Sequence, residues 1–101
     1  MASYLLSSEA EQDLRELIRF TKQKWGNVQV VKYREVLKNT FELIVKDTRS
    51  DKLFTNSIDD LFFCKAGAHY VFFLRTVDEK PLMIAILHPR REILKHLRKR
   101  L

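Results

Sequence analysis

The sequence predicts an α+β fold in the order strand, two-helix hairpin, three-stranded antiparallel meander, short C-terminal helix. Three observations carry this. Residues 10–45 repeat apolar side chains at helical spacing, interrupted by Gly26. Residues 61–87 change to runs of Phe, Val, Ile and Leu broken by Ala-Gly-Ala and Asp-Glu-Lys, which read as strands and turns. Helices grouped ahead of the strands, not alternating with them, favour an antiparallel sheet with the hairpin laid on one face. At 101 residues the chain has the size of one domain, expected to span residues 1–101, with a core that hides roughly 60–70% of the unfolded surface.

The elements follow in order. Ser3-Tyr4-Leu5-Leu6 is a short apolar run, and Ser8 with Glu11 has the spacing of a capping box, so a strand hands over to a helix. Leu14, Leu17, Ile18 and Trp25 keep one face of that helix, while Arg15, Glu16, Arg19, Lys22 and Lys24 take the other. Gly26 is its expected C-cap and Asn27 the cap of a second helix. Val30, Tyr33, Leu37, Phe41, Ile44 and Val45 form the second stripe. Residues 46–60 are polar and aperiodic, and predict a surface connection with one turn of helix around Asp51 to Phe54. Strands are expected at Leu61–Lys65, His69–Val77 and Pro81–Leu87, the last closed at His88-Pro89 because a residue before proline is pushed to extended backbone. Ile93, Leu94, Leu97 and Leu101 then fall on one side of a short basic helix.

Composition excludes several classes. No apolar run approaches the roughly 18 residues of a membrane span, and MASYLLSSEAEQ carries neither a charged leader nor an apolar signal core, so a cytosolic address with no membrane partner is expected. Cys64 is the sole cysteine, which rules out an internal disulfide and a cysteine zinc cluster and suits a small hydrophobe in a strand. Two glycines cannot build a phosphate cradle, and there is no Walker loop, dinucleotide fingerprint, paired HxxxH or GxSxG. His69, His88 and His96 are too scattered for a metal site on spacing, so neither metal nor cofactor is expected.

The net charge of +6 is concentrated at the C-terminal end, where Arg90, Arg91, Lys95, Arg98, Lys99 and Arg100 stand against Glu92 alone. Such a tail can meet nucleic acid, an acidic protein or an anionic membrane surface. Around the strands, Lys65, His69, Arg75, His88, Arg90 and Arg91 read in two ways. They are solvated turn charges with a histidine that satisfies a backbone group, or they form a phosphate-facing surface with a titratable imidazole.

Three segments, YLLSSEAEQDLRELIRFTKQKWG, GAHYVFFL and ILHPRRE, together resemble the ParE branch of the ParE/RelE toxin superfamily, across almost the whole chain. Ser7, Ala10, Asp13, Leu14, Trp25 and Gly26 match its S/T-x-x-A-x-x-D-L helix ending in W-G. Gly67, His69, Val71 and Phe73 match G-x-H-x-V-x-F/Y, and Ile86, Leu87, His88 and Arg90 match I-L-H-x-R. The segment TNSIDDLFFCK departs from the glycine- and arginine-rich lead into the meander usual in that branch.

The resemblance implies a toxin of a type II toxin–antitoxin pair that acts on DNA gyrase and blocks replication. It also implies neutralisation in a hetero-oligomer by an acidic, ParD-like antitoxin. His88, Arg90, Arg91 and Lys95 are then the residues expected to engage the target. The alternative is a ribosome-dependent mRNA endoribonuclease of RelE type, for which Lys65, His69 and Arg75 are the phosphate-facing candidates. A non-toxic basic binding module is a third reading. In RelE-type sequences an arginine usually falls where this chain has Tyr70, and a tyrosine where it has Pro89-Arg90-Arg91, so cleavage is the less favoured activity.

Overall fold

A computed structural model describes residues 4–46, 52–53, 61–75, 80–90 and 92–101; residues 1–3, 47–51, 54–60, 76–79 and Arg91 lie outside them, and with them the expected end of the middle strand at Val77. Strand β1 (Leu5–Leu6) leads into α1 (Ser8–Trp25) and α2 (Asn27–Lys46). Strands β2 (Lys52–Leu53), β3 (Leu61–Ala66), β4 (His69–Leu74) and β5 (Leu82–Leu87) follow, then α3 (Ile93–Arg100). The sheet order is β1-β5-β4-β3-β2, with β1 parallel to β5 and the other pairs antiparallel. This is the α+β arrangement of hairpin and meander that the sequence predicts, with β2 added. The two residues of β2 pair with Phe62 and Phe63 and replace the helical turn expected around Asp51 to Phe54. A pair of residues inside a polar stretch has no periodicity by which to announce a strand.

The helix starts differ from expectation by one residue each. Ser7, with φ −68° and ψ 162°, is the cap of α1, its hydroxyl accepting the Ala10 amide at 3.1 Å. Ser8 is already helical, and its hydroxyl meets Glu9 at the surface, so no capping box forms with Glu11. A cap needs the extended backbone that Ser7 keeps as the end of the β1 segment. Gly26 serves both helices. At φ +88° its amide donates to the Lys22 carbonyl at 3.0 Å, while its own carbonyl accepts the Val30 amide at 3.3 Å. Asn27 is therefore the first helical residue rather than the cap.

The hairpin lies on one sheet face. Leu17, Leu37, Phe41 and Ile44 pack there against Ala66, Val71, Phe73, Met83 and Ile86, with Cys64 half-buried beside them. On the opposite face Leu97 of α3 covers Leu61, Phe72, Ile84 and Leu87. Alternation along β4 sends Val71 and Phe73 to the helices and Tyr70 and Phe72 to α3. Phe72 and Phe73 are both fully buried, and each contributes roughly 1.5–3 kcal/mol of transfer free energy. In α3 the apolar stripe is narrower than its spacing suggests: Leu97 is buried and Ile93 half-buried, but Leu94 and Leu101 face solvent.

Trp25 leaves the core stripe to which its spacing assigns it, being 64% exposed. The buried line of α1 is Ala10, Asp13, Leu17 and Thr21, and Trp25 stands in the turn beyond it, beside the reversal at Gly26. The line contains a carboxylate, Asp13, which needs partners in a dry interior. Its Oδ2 accepts the Ile86 amide at 3.0 Å and Arg100 Nη1 at 2.6 Å, and its Oδ1 accepts Arg100 Nη2 at 3.0 Å. Arg100 Nη1 also donates to the Ile84 carbonyl at 3.0 Å. β1 covers the outer edge of β5 only at Leu82 and Met83, and the two side chains occupy the edge beyond, where bare backbone groups would otherwise stand open.

Candidate functional site

The meander brings His69 and His88 together through an irregularity. β4 and β5 pair Leu74 with Leu82 and Phe73 with Met83, then shift register so that Phe72 meets Ala85, Val71 meets Ile86 and Tyr70 meets Leu87. Ile84 is the extra residue of a β-bulge. Extending the shifted register by one step puts His69 opposite His88, and the two rings lie edge to face with centroids 5.4 Å apart. Without the bulge His69 would face Leu87.

Two neighbours fix the imidazoles. Gly67 and Ala68 form a two-residue hairpin turn between Ala66 and His69, with Gly67 at φ +60°, the left-handed backbone that primed turns require. A side chain at Gly67 would meet the Tyr33 hydroxyl at 3.3 Å. That hydroxyl donates to the Ala66 carbonyl at 3.1 Å and lies 2.5 Å from His69 Nδ1. With the phenol proton on Ala66, Nδ1 of His69 carries a proton and donates to the phenol oxygen. Burial raises the Tyr33 pKa, opposed by the Ala68 and His69 amides, which favour the phenolate. His88 Nδ1 accepts the Arg90 amide at 3.1 Å, so in the neutral ring the proton sits on Nε2.

These groups open on a groove of about 530 Å3 between α1 and the ends of β4 and β5, lined by His69, His88 and Arg90 together with Glu16, Phe20 and Lys24. Lys24 holds its ammonium 5.5 Å from the Phe20 ring centroid and 5.4 Å from that of Trp25. Phe20 and Lys24 carry no sequence motif. The available signal is an aromatic and a lysine one helical turn apart on the polar side of α1.

The other candidates disperse. Lys65 sits opposite Tyr70 on the α3 face of the sheet, away from His69, since directly paired residues share a face. Arg75 lies past the end of β4, where its guanidinium donates to the Ile44 carbonyl near the end of α2 and stacks 5.5 Å from the Phe73 ring. Lys95 is on the exposed side of α3, 3.6 Å from Glu92, and Arg91 falls outside the described residues. Arg100, counted by its sequence position among the tail's cations, is spent on Asp13. Hydrogen bonding to Asp13 raises its pKa, against the desolvation that opposes charge. Among the described residues no group of three or more His, Cys, Asp or Glu could hold a metal ion.

Tyr70 is half-buried against Phe63 and Phe72, with ring centroids 5.6 and 6.3 Å away. It points to the face opposite His69 and His88, so the position that bears arginine in RelE-type sequences shares no cavity with the imidazoles.

The family described as ParE toxin of type II toxin–antitoxin system, parDE, matches residues 4–93. The chain belongs to this family. Toxin ParE of Escherichia coli is 35% identical over 101 residues, covering 100% of this chain and 98% of that protein. Toxin ParE1 of Caulobacter vibrioides is 29% identical over 97 residues, covering 96% and 99%. In solved structures, a chain of the chromosomal ParDE system of P. aeruginosa superposes with a TM-score of 0.67 at 9% identity, over 86% of this chain and 98% of that one. At that identity the likeness is one of fold. The fold thus persists where few side chains do.

Proposed function

We propose that this ParE-family toxin inhibits DNA gyrase and is neutralised in a hetero-oligomer by a cognate acidic, ParD-like antitoxin. The observation that carries the reading is full-length similarity to proteins named as ParE toxins, joined to the placement of Tyr70, which stands where RelE-type sequences carry arginine and faces away from the imidazoles. Strand cleavage needs an activated hydroxyl, charge stabilisation on the phosphorane and a proton for the leaving oxygen, all at one phosphate. Here Tyr70, packed among rings, faces away from the imidazoles, and Lys65 lies on its side of the sheet. The protein accordingly acts by binding rather than by catalysis, and as a gyrase inhibitor it works in the cytoplasm. No described helix is long and apolar enough to cross a membrane.

His88 and Arg90, with Arg91 and Lys95 following, are the residues proposed to engage the target. The antitoxin has a different surface open to it. Between α1 and α2 a groove of about 310 Å3 has an apolar floor of Tyr4, Leu14, Ile18, Leu37 and Phe41 and a basic rim of Arg34 and Lys38. An acidic segment that orders on binding gains its affinity by burying apolar anchors in such a groove, while its charges meet the rim.

Purified protein added to a gyrase supercoiling reaction is expected to lower supercoiling and accumulate cleaved DNA, and addition of the antitoxin to reverse both. Supercoiling that continues unchanged at concentrations that arrest growth would refute gyrase as the target. Transcripts should stay intact after induction in cells; ribosome-dependent cuts would transfer the reading to the RelE alternative.

A further inference from the structure

The groove at His69 and His88 has a charge balance that target engagement alone does not explain. Among the described residues its lining holds two carboxylates: Asp13 is consumed by Arg100 and the Ile86 amide, and Glu16 accepts the Gln12 amide at 3.1 Å on the exposed side of α1. The remaining polar lining is Lys24 from α1, His69 from β4, and His88 and Arg90 after β5, with Tyr33 of α2 behind His69. The walls include an exposed aromatic ring, Phe20, 58% accessible. A volume of about 530 Å3 is within the range of small-ligand sites. Two cationic side chains and two imidazoles around one space suit an oxyanion with several acceptor oxygens, and a flat apolar ring beside them suits a nucleobase, every base having a π-face to stack.

We propose that this groove is a nucleotide-phosphate site, in which Lys24, Arg90 and His88 hold the phosphate oxygens and Phe20 bears the base. The proposal does not depend on gyrase being the target, because binding is measured without it. Tyr33 acts as a positioning residue by holding His69 through Nδ1.

The test is titration of the full-length, 15N-labelled protein at low salt with two probes, adenosine monophosphate and a dinucleoside monophosphate, followed by amide and imidazole NMR shifts. The first probe presents a phosphomonoester, the form of a free nucleotide, and the second a phosphodiester, the form in a strand; the tighter of the two identifies the source. Saturable shifts are expected with at least one of the two probes. Shifts should centre on His69, His88, Arg90 and Lys24.

Arg90→Gln and Lys24→Gln, both at exposed positions, should each weaken binding severalfold, and His88→Ala, which removes the Nε2–H donor, should weaken it as well. Lys99→Ala, on α3 at the opposite sheet face, should leave affinity unchanged. Absence of groove shifts with both probes overturns the proposal. So does a Lys99→Ala effect as large as that of Arg90→Gln, which would mean diffuse attraction to a basic surface.

Discussion

Asp13 joins three elements through one carboxylate: α1 that carries it, β5 through the Ile86 amide, and α3 through Arg100. Both partners are largely out of water, Arg100 at 14% and Asp13 at 7% side-chain exposure. Removing one member strands the other charge, which typically costs about 3–5 kcal/mol. Asp13→Ala is therefore expected to lower the urea midpoint steeply and Arg100→Ala nearly as much. The double variant should cost less than the sum of the two, because the second substitution removes the stranded charge. Additivity in that cycle would show that the pair is not a unit.

Tyr33 gives a pH-dependent counterpart. Its pKa lies above the ordinary 10.0 in the folded protein, chiefly through burial, so the proton is held more tightly folded than unfolded. The resulting stability is present below that ordinary value and is lost as pH rises through the higher folded one. Tyr33→Phe should cost about 1 kcal/mol at pH 8 through two lost hydrogen bonds, and the gap to the parent protein should narrow in strong alkali. Unfolding curves at both pH values check it; a gap that widens with pH would contradict the assignment.

At the scale of elements, what was legible in the sequence divides by period. The two long helices and the three main strands announce themselves because each keeps one apolar face over many residues, from Leu14 to Leu17 and Ile18 in α1 and through Val71 and Phe73 in β4. The short pieces do not: β2 is two residues long, and the caps at Ser7 and Gly26 differ from the expected Ser8 and Asn27 by a single position of backbone geometry. The histidine pair was half legible. The residues could be picked out, but their meeting depends on the bulge at Ile84, and nothing in LMIAIL marks one residue as extra. Asp13 was visible as part of a motif, yet its partner lies 87 positions away, beyond the reach of any local pattern.

The short α3 offers a test at the same scale. It covers one face of the sheet with essentially one buried side chain, Leu97 at 0% exposure, over Leu61, Phe72, Ile84 and Leu87. Leu97→Ala is expected to cost about 2–5 kcal/mol. Leu94→Ala, at a position 42% exposed, should cost little despite belonging to the same sequence stripe. Equal losses in thermal unfolding would mean that α3 docks by its whole apolar side.

The whole molecule carries a net charge of +6, and two of its grooves differ in chemistry. The α1–α2 groove is apolar with a basic rim, whereas the groove at His69 and His88 is polar and lined with cations. They share no lining residue, since Tyr4, Leu14, Ile18, Arg34, Leu37, Lys38 and Phe41 serve one and none of these serves the other. An acidic antitoxin seated in the first, as proposed, would be drawn in by the charge of the entire chain but held by apolar burial at the anchors. The two contributions separate in kinetics, because long-range attraction sets the encounter rate and is screened by salt, while desolvated apolar contact governs escape. Raising the salt from 0.05 M to 0.5 M, approximately a threefold shortening of the screening length, should slow antitoxin association by about tenfold or more and change dissociation little. Leu14→Asp at the floor should do the reverse, quickening dissociation with association nearly unchanged. Surface-immobilised antitoxin and stopped-flow mixing give both rates. If salt acted chiefly on dissociation, the charges would belong to the seated interface, and the basic rim of Arg34 and Lys38 would have to carry the affinity assigned here to the apolar floor.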